Sequence, residues 1–473
     1  MVRRRDGLAR ALIQLAGFRL QPAPHLGTGA GRMPGVARPT VLPPDSPPVC
    51  RAADTSDADV AIVGAGAAGL ATAIFTARRL PAARILLFDG AARLGTKLLV
   101  SGGGRCNVTN REVGAEDYWG GDRRVIGSVL RAFPAREAIR FFEGLGVPLH
   151  EEEDGKIFPD SNRARTVLEA LVAEAGRLGV AIRAGDRVEG AVPTGQGFAL
   201  AIRGRRATAR RVVLAAGGLS LPTSGSDGSG LRMASALGHT IVPTTPALAP
   251  LILAGTFHAA LAGVTHLAAL TLRVDGGRPQ RFVGPMVWTH FGVSGPLALN
   301  ASRHWHRAVA DRRTVEARLS FVPGREFSAV ERDLLRAAAD HPATSLRGAV
   351  SPIVPASVAE ALVGALGLDG STRLAHLSRG DRRRVCHALT DWPVPVAGSR
   401  GYQYAEATAG GVALDEVDRG TMASRRCPGL YLAGEMLDVD GRLGGFNFQW
   451  AWSSAWVAAR GVCASLPRKA CHG

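Results

Sequence analysis

Three glycines, Gly64, Gly66 and Gly69, stand in G-x-G-x-x-G spacing between an apolar run, Val60 to Val63, and the small-residue stretch AAGLATAIFTARRL that begins at Ala67. The chemistry of this pattern belongs to the backbone. Gly64 makes a tight turn, Gly66 admits a pyrophosphate beside the chain, and Gly69 lets a helix close on a strand. Amides of the helix N-terminus, from Ala67 onward, would face the phosphates. Asp89 ends the next apolar run, ARILLFD, where an acid can accept from ribose hydroxyls.

A second glycine run lies in LLVSGGGRCNVTN, residues 98–110, where Ser101, Gly102, Gly103 and Gly104 precede Arg105, Cys106 and Asn107. Glycines there let the backbone approach a bulky ligand, and Arg105 can neutralise charge; the alternative is a plain surface turn. Near the end, PGLYLAGEMLDVDGRLGGFNFQWAW places Gly434 and Glu435 after a strand, and Gly444 and Gly445 before a helix that begins near Asn447. A helix N-terminus carries about half a positive charge, which suits negative charge at N1/O2 of a reduced flavin. For proton transfer the candidates are Cys106, against a packing role, and His290, against a hydrogen-bonded structural histidine.

These residues need a framework that brings them together. The first stretch reads as a strand–helix–strand dinucleotide unit. FPAREAIRFFEGLGV and RARTVLEALVAEAGRLGV follow as helices with apolar residues three and four apart. AIRAGDRVEGAVPTGQGFALAI and RRVVLAAGG read as strands feeding another glycine turn. From Pro250 the pattern changes to short strands, AALTLRVDGG and TVEARLSFVP, and then to an Arg-rich helical section over 325–391. The C-terminal segment restores strand, glycine turn and helix. The predicted architecture is α/β: one Rossmann-like nucleotide domain interrupted by an insertion. No second G-x-G-x-x-G is present, so a nicotinamide donor would visit transiently or use an unsigned pocket.

Composition narrows the classes. The chain has 473 residues, enough for two or three domains, and no apolar stretch long enough to span a bilayer. With 57 Lys and Arg against 40 Asp and Glu, the net charge is +17, which permits RNA as a partner. Lysine occurs only at Lys97, Lys156 and Lys469, and a GC-rich coding sequence would produce that bias without any ligand. Six dispersed cysteines show no zinc spacing and fit a reducing cytoplasm. Residues 1–56, Arg-rich and then Pro/Gly-rich, read as a disordered extension, with a targeting signal as the alternative.

Taken together, VGAGAAG, KLLVSGGGRCNVTN, AAGGLSLPTSGSDGSG, PTTPALAPL, THFGVSGP, EATAGGV and PGLYLAGEMLDVDGRLGGFNFQWAWSSAW resemble the YhiN/BaiN-type family of FAD-dependent oxidoreductases, also labelled aminoacetone-oxidase-like. The resemblance runs through nearly all of residues 57–462. It implies a Rossmann-like FAD-binding domain interrupted by an inserted β-barrel that carries a helical subdomain. The corresponding boundaries are 57–246 for the first part of the FAD domain, 247–324 for the barrel, 325–391 for the helices, 392–410 for the return and 411–465 for the last part. It implies FAD as cofactor, with residues 101–107 beside the flavin and Arg105 and Asn107 as polar contacts. Within the shared motifs, Lys97, Gly217, Asp438 and Phe446 join the cofactor set. Phe446 stands where tyrosine is usual, and Asp89 where glutamate is often found. Activities implied are an NAD(P)H-driven reduction of a carbon–carbon double bond, dihydrouridine formation in large-subunit ribosomal RNA, or amine oxidation with oxygen. A nucleic-acid-binding protein with a structural flavin is the alternative outside enzymes.

Overall fold

A computed structural model describes residues 57–467. The expectation for residues 1–56 lies outside this range. A parallel sheet is built from β1 (Asp57–Val63), β2 (Ile85–Asp89), β3 (Ala181–Ala184) and β6 (Arg205–Leu214), with β4 (Val188–Thr194) and β5 (Gly197–Ile202) added as an antiparallel meander. Its order is β3-β2-β1-β6-β5-β4, and β7 (Leu430–Leu432) pairs in parallel with the end of β6. Strands buried on both faces need continuous apolar runs. Val60, Ala61 and Ile62 in β1, and Val212, Val213 and Leu214 in β6, accordingly have no exposed surface.

Helix α1 (Ala67–Arg79) follows β1, and α2 (Thr96–Gly104) follows β2. α2 is regular only as far as Val100; Ser101 is extended, and Gly102 and Gly103 take left-handed φ values of 55° and 69°. The second glycine run is therefore the broken end of a helix, a conformation that glycine adopts at little cost.

The chain leaves this domain along Ile241–Ala247 and returns along Ala407–Val412, and the two strands pair with each other, Ile241 opposite Val412 and Ala247 opposite Ala407. Between them lies a seven-stranded antiparallel sheet. Its edge strands, Trp392–Pro393 and Val396–Ser399, are separated by two residues, so the chain from one to the other can span only about 11 Å. The sheet must curl until its edges meet through the chain, although no ladder joins them among the described residues. Helices Phe327–Asp340, Leu346–Val350, Ala356–Ala365 and Arg379–Thr390 share one apolar core with this sheet, from Leu270 and Trp288 to Leu334, Val358 and Val385.

One element of the insertion departs from the short-strand reading of residues 250–323. MVWTHFGVSGPLALNAS runs into a long helix, α3 (Gly295–Ala310), with Pro296 in its first turn, where proline is favoured. Arg303 of α3 reaches back to Asp440 through two hydrogen bonds, 2.6 and 2.9 Å, tying the insertion to the nucleotide domain. The last helix, α4 (Phe446–Ser465), packs along α1, with Trp456 set edge-on to Phe75 at 5.1 Å between centroids.

Candidate active site

The glycine turn after β1 divides by function. A side-chain carbon at Gly69 would run into the Gly64 carbonyl oxygen, and one at Gly64, whose φ is +102°, into the backbone of Ala215. At Gly66 it would meet nothing within 4 Å. Two glycines thus serve chain packing, and the third leaves a notch at the N-terminus of α1. That terminus has neither a side-chain cap nor an acid in its first turn, so its positive end is not neutralised locally. Asp89 closes the notch, accepting from the Ala65 amide at 2.7 Å and from the Ala91 amide at 2.8 Å. Each oxygen keeps a lone pair for a further donor.

From the notch the site continues past the broken end of α2. Asn107 is 8% exposed, and its buried Oδ1 has no hydrogen-bond partner among the described residues. Ser101 donates to Leu98 O at 2.6 Å. Arg105 is not free: it pairs with Glu152 at 2.7 Å and lies over the Phe158 ring at 4.1 Å. Cys106 has no exposed surface, belongs to the central core, and its thiol is pushed up to about 12 by burial. Such a group neither meets a substrate nor releases a proton near neutrality, so the structure gives it the packing role. His290 is exposed at a turn of the insertion, with its ring edge-on to Phe291 at 5.1 Å.

Residues separated by hundreds of positions meet next to α2. Lys97 Nζ donates to Ser220 Oγ at 2.5 Å and pairs with Glu435. Ser220 Oγ donates to Glu435 Oε1 at 2.7 Å, and the Thr408 amide donates to the same oxygen at 2.9 Å. Thr408 Oγ1 in turn accepts from the amides of Leu219 and Ser220 at 2.9 and 3.0 Å. The network joins α2, the turn after β6, the returning strand and the turn after β7. Gly217, at φ +74°, and Gly434, at φ +79°, make the two turns. Ser220, Thr408 and Glu406 were not singled out from the sequence. The only local signal was polar residues inside the apolar strings GGLSLP and EATAGGV.

The C-terminal residues divide between packing and site. Gly445, at φ +93°, abuts the backbone of Thr109, and Phe446 has no exposed surface. Asn447 is engaged with Gly441 in both directions, accepting from its amide at 2.8 Å and donating to its carbonyl at 3.0 Å. Gly444 O accepts from Asn110 at 3.1 Å. Asp438 is half-buried, and burial pushes its carboxyl up against the pull of Arg307 and Arg303. Among the described residues, no helix is long and apolar enough to cross a membrane, and no cluster of His, Cys, Asp or Glu is arranged to hold a metal.

A βαβ turn with a notch at its second glycine, joined to a polar network at the seam with an insertion, defines a dinucleotide-binding enzyme of the Rossmann-like class. The family model described as HI0933-like protein Rossmann domain matches residues 58–461. The chain belongs to that family, the YhiN/BaiN-type oxidoreductases. A 3-dehydro-bile acid delta(4,6)-reductase of Clostridium scindens is 33% identical over 401 residues, covering 85% of this chain and 98% of the relative. A ribosomal RNA dihydrouridine synthase of Escherichia coli is 33% identical over 414 residues, covering 86% and 98%. The Haemophilus influenzae protein of the same name is 30% identical over 407 residues, covering 85% and 97%.

Proposed function

We propose that this protein is an FAD-dependent reductase that uses NAD(P)H to saturate a carbon–carbon double bond in a ring. The observation that carries the reading is the notch at Gly66, the one point in a tightly packed turn where a side chain would meet no protein. The relatives named for a bile acid and for dihydrouridine differ in substrate by everything except this reaction, so their shared chemistry is the part that transfers.

Gly64, Gly66, Ala67, Gly69 and Asp89 would hold the adenosine diphosphate half of FAD. Ser101 to Asn107, with Gly217, Gly434, Glu435 and Gly444, would hold the flavin half. The buried Asn107 Oδ1 is a ready acceptor for a ring N–H. Bound FAD supplies two-electron hydride chemistry that no amino-acid side chain provides. The protein's part is orientation and charge. Lys97, Ser220 and Glu435 fix the turns after β6 and β7 against α2, so three backbone segments are held in one register before any ligand arrives. Preorganisation of this kind is what lowers the cost of positioning reactants.

Ribosomal RNA is the substrate we favour over a free sterol-like molecule, on the strength of the basic excess. Arg332, Arg336, Arg347, Arg379, Arg383 and Arg384 are exposed on the helices of the insertion, and Arg373 is exposed in a loop between them. Arg382 departs from the expectation of a free phosphate contact: it is 18% exposed and faces Glu331 at 3.7 Å.

Purified protein is expected to be yellow, to release FAD and not FMN on denaturation, and to bleach anaerobically with NADH or NADPH. Peroxide production with an amine, and no reoxidation by an unsaturated acceptor, would move the protein to the amine oxidases.

A further inference from the structure

Glu406 is an acidic group at the seam whose carboxyl stands outside the Lys97–Ser220–Glu435 network. It lies in the bend just before the returning strand Ala407–Val412, with its amide donating to Leu248 O at 3.2 Å and its carbonyl 3.5 Å from Ser220 Oγ. The backbone is thereby pinned to both halves of the molecule. The Lys97 charge acts on its carboxyl, which places it on the side of the seam where Lys97 meets Ser220. The side chain is exposed, and among the described residues no hydrogen bond holds its carboxyl. Around it stand the small apolar joint of Ala247, Leu248, Leu299 and Ala407, and beyond that the Lys97–Ser220–Glu435 network.

We propose that Glu406 is the proton donor of the reduction, touching the substrate and protonating the carbon next to the one that accepts hydride. This rests on the reductase reading above. The π bond of the substrate breaks, hydride from the nicotinamide-reduced cofactor forms one C–H bond, and the carboxyl O–H breaks as its proton forms the other. The carboxylate left behind recovers a proton from solvent, which its exposure allows.

Two environmental effects act on the carboxyl in opposite directions. Surrounding protein pushes its pKa up, Lys97 pulls it down, and the first prevails, leaving it at about 7. The side chain is open to solvent, yet the protein around it outweighs the pull of Lys97. A planar ligand lying over it would displace water and push in the same direction. The other charged groups of the network, Lys97 and Glu435, neutralise each other as a pair. Neither earlier candidate competes, because Cys106 has no open surface and His290, at an exposed turn of the insertion, makes no hydrogen bond to this network among the described residues.

The test uses holoenzyme whose flavin has been reduced photochemically, so that no nicotinamide is needed. Reoxidation is followed in single turnover with a uridine-containing ribosomal RNA fragment and with a steroid 4,6-dien-3-one. For whichever acceptor wild type accepts, Glu406→Gln is expected to slow reoxidation by about 10² to 10⁴-fold, with Glu406→Asp recovering part of the loss. Wild-type reoxidation should fall as pH rises through about 7, where the carboxyl loses its proton, and the Gln variant should lose that dependence. Infrared difference spectra provide a readout independent of turnover: a protonated carboxyl band that titrates near neutrality and vanishes in Glu406→Gln. FAD content and melting midpoint serve as folding controls. Equal reoxidation rates in the Gln variant and wild type, or a Glu406 carboxyl that titrates in the ordinary carboxylate range, would overturn the proposal while leaving the reductase intact. Failure of both acceptors to reoxidise wild type would remove the reductase reading and this proposal with it.

Discussion

Two glycine turns introduce the two helices that pack along one another, and they use glycine for opposite purposes. In the turn before α1, a side-chain carbon at Gly66 would enter open space. In the turn before α4, one at Gly445 would collide with the backbone of Thr109. The second turn is held by the chain itself: Asn110 reaches Gly444, Asn447 clasps Gly441, and Thr109 Oγ1 lies 2.6 Å from Gln449 Oε1. The same residue type before a helix therefore faces open space in one place and a neighbouring strand in the other. Spacing alone does not separate them.

The largest effect expected from this comparison is at Gly445. Gly445→Val adds a β-branched side chain at φ +93° against fixed backbone, and should cost about 4 kcal/mol or more, enough to prevent accumulation of soluble protein. A soluble Gly445→Val variant with a near-normal melting midpoint would break the comparison. Next comes the pair that braces the second turn from the insertion side. Arg303 is 12% exposed and Asp440 is 1% exposed, so Arg303→Ala leaves a buried carboxylate without its cation and should destabilise by about 3 to 5 kcal/mol in urea melts. Arg303→Met with Asp440→Leu should recover most of that loss, since replacing both partners removes the uncompensated charge.

A smaller effect is expected at the surface. Replacing Arg332, Arg336 and Arg379 together by Ala should weaken binding of ribosomal RNA fragments and flatten its salt dependence by up to about three units of slope. FAD content should be unchanged. If binding and slope match wild type, RNA is not recognised through these helices.

The dinucleotide unit was legible because its cues are local: an apolar run, three glycines at fixed spacing and an acid at the next strand end all fall within residues 57–89. The return of β7 to the first sheet was legible for the same reason, since strand, turn and helix recur together near the C-terminus. What escaped has its partner elsewhere. Lys97 meets Glu435 across most of the chain, Arg105 is captured by Glu152, and Arg382 by Glu331; none of these pairings leaves a local pattern. Helix α3 was hidden by its opening Gly-Pro, which reads as a turn until the packing against the curled sheet is seen. For Cys106 the sequence left proton transfer and packing side by side, and the fold, which points it into the core, favours packing.

The central claim is that the notch at Gly66 is the pyrophosphate site of FAD. Titrating FAD into cofactor-stripped wild type and Gly66→Val, with melting midpoints recorded on the same stripped samples, tests it most directly. Wild type should take up one FAD per chain, whereas Gly66→Val should take up none and melt within a few degrees of stripped wild type, because the added side chain meets no protein. FAD uptake by Gly66→Val equal to that of wild type, or no uptake by wild type, would contradict the account.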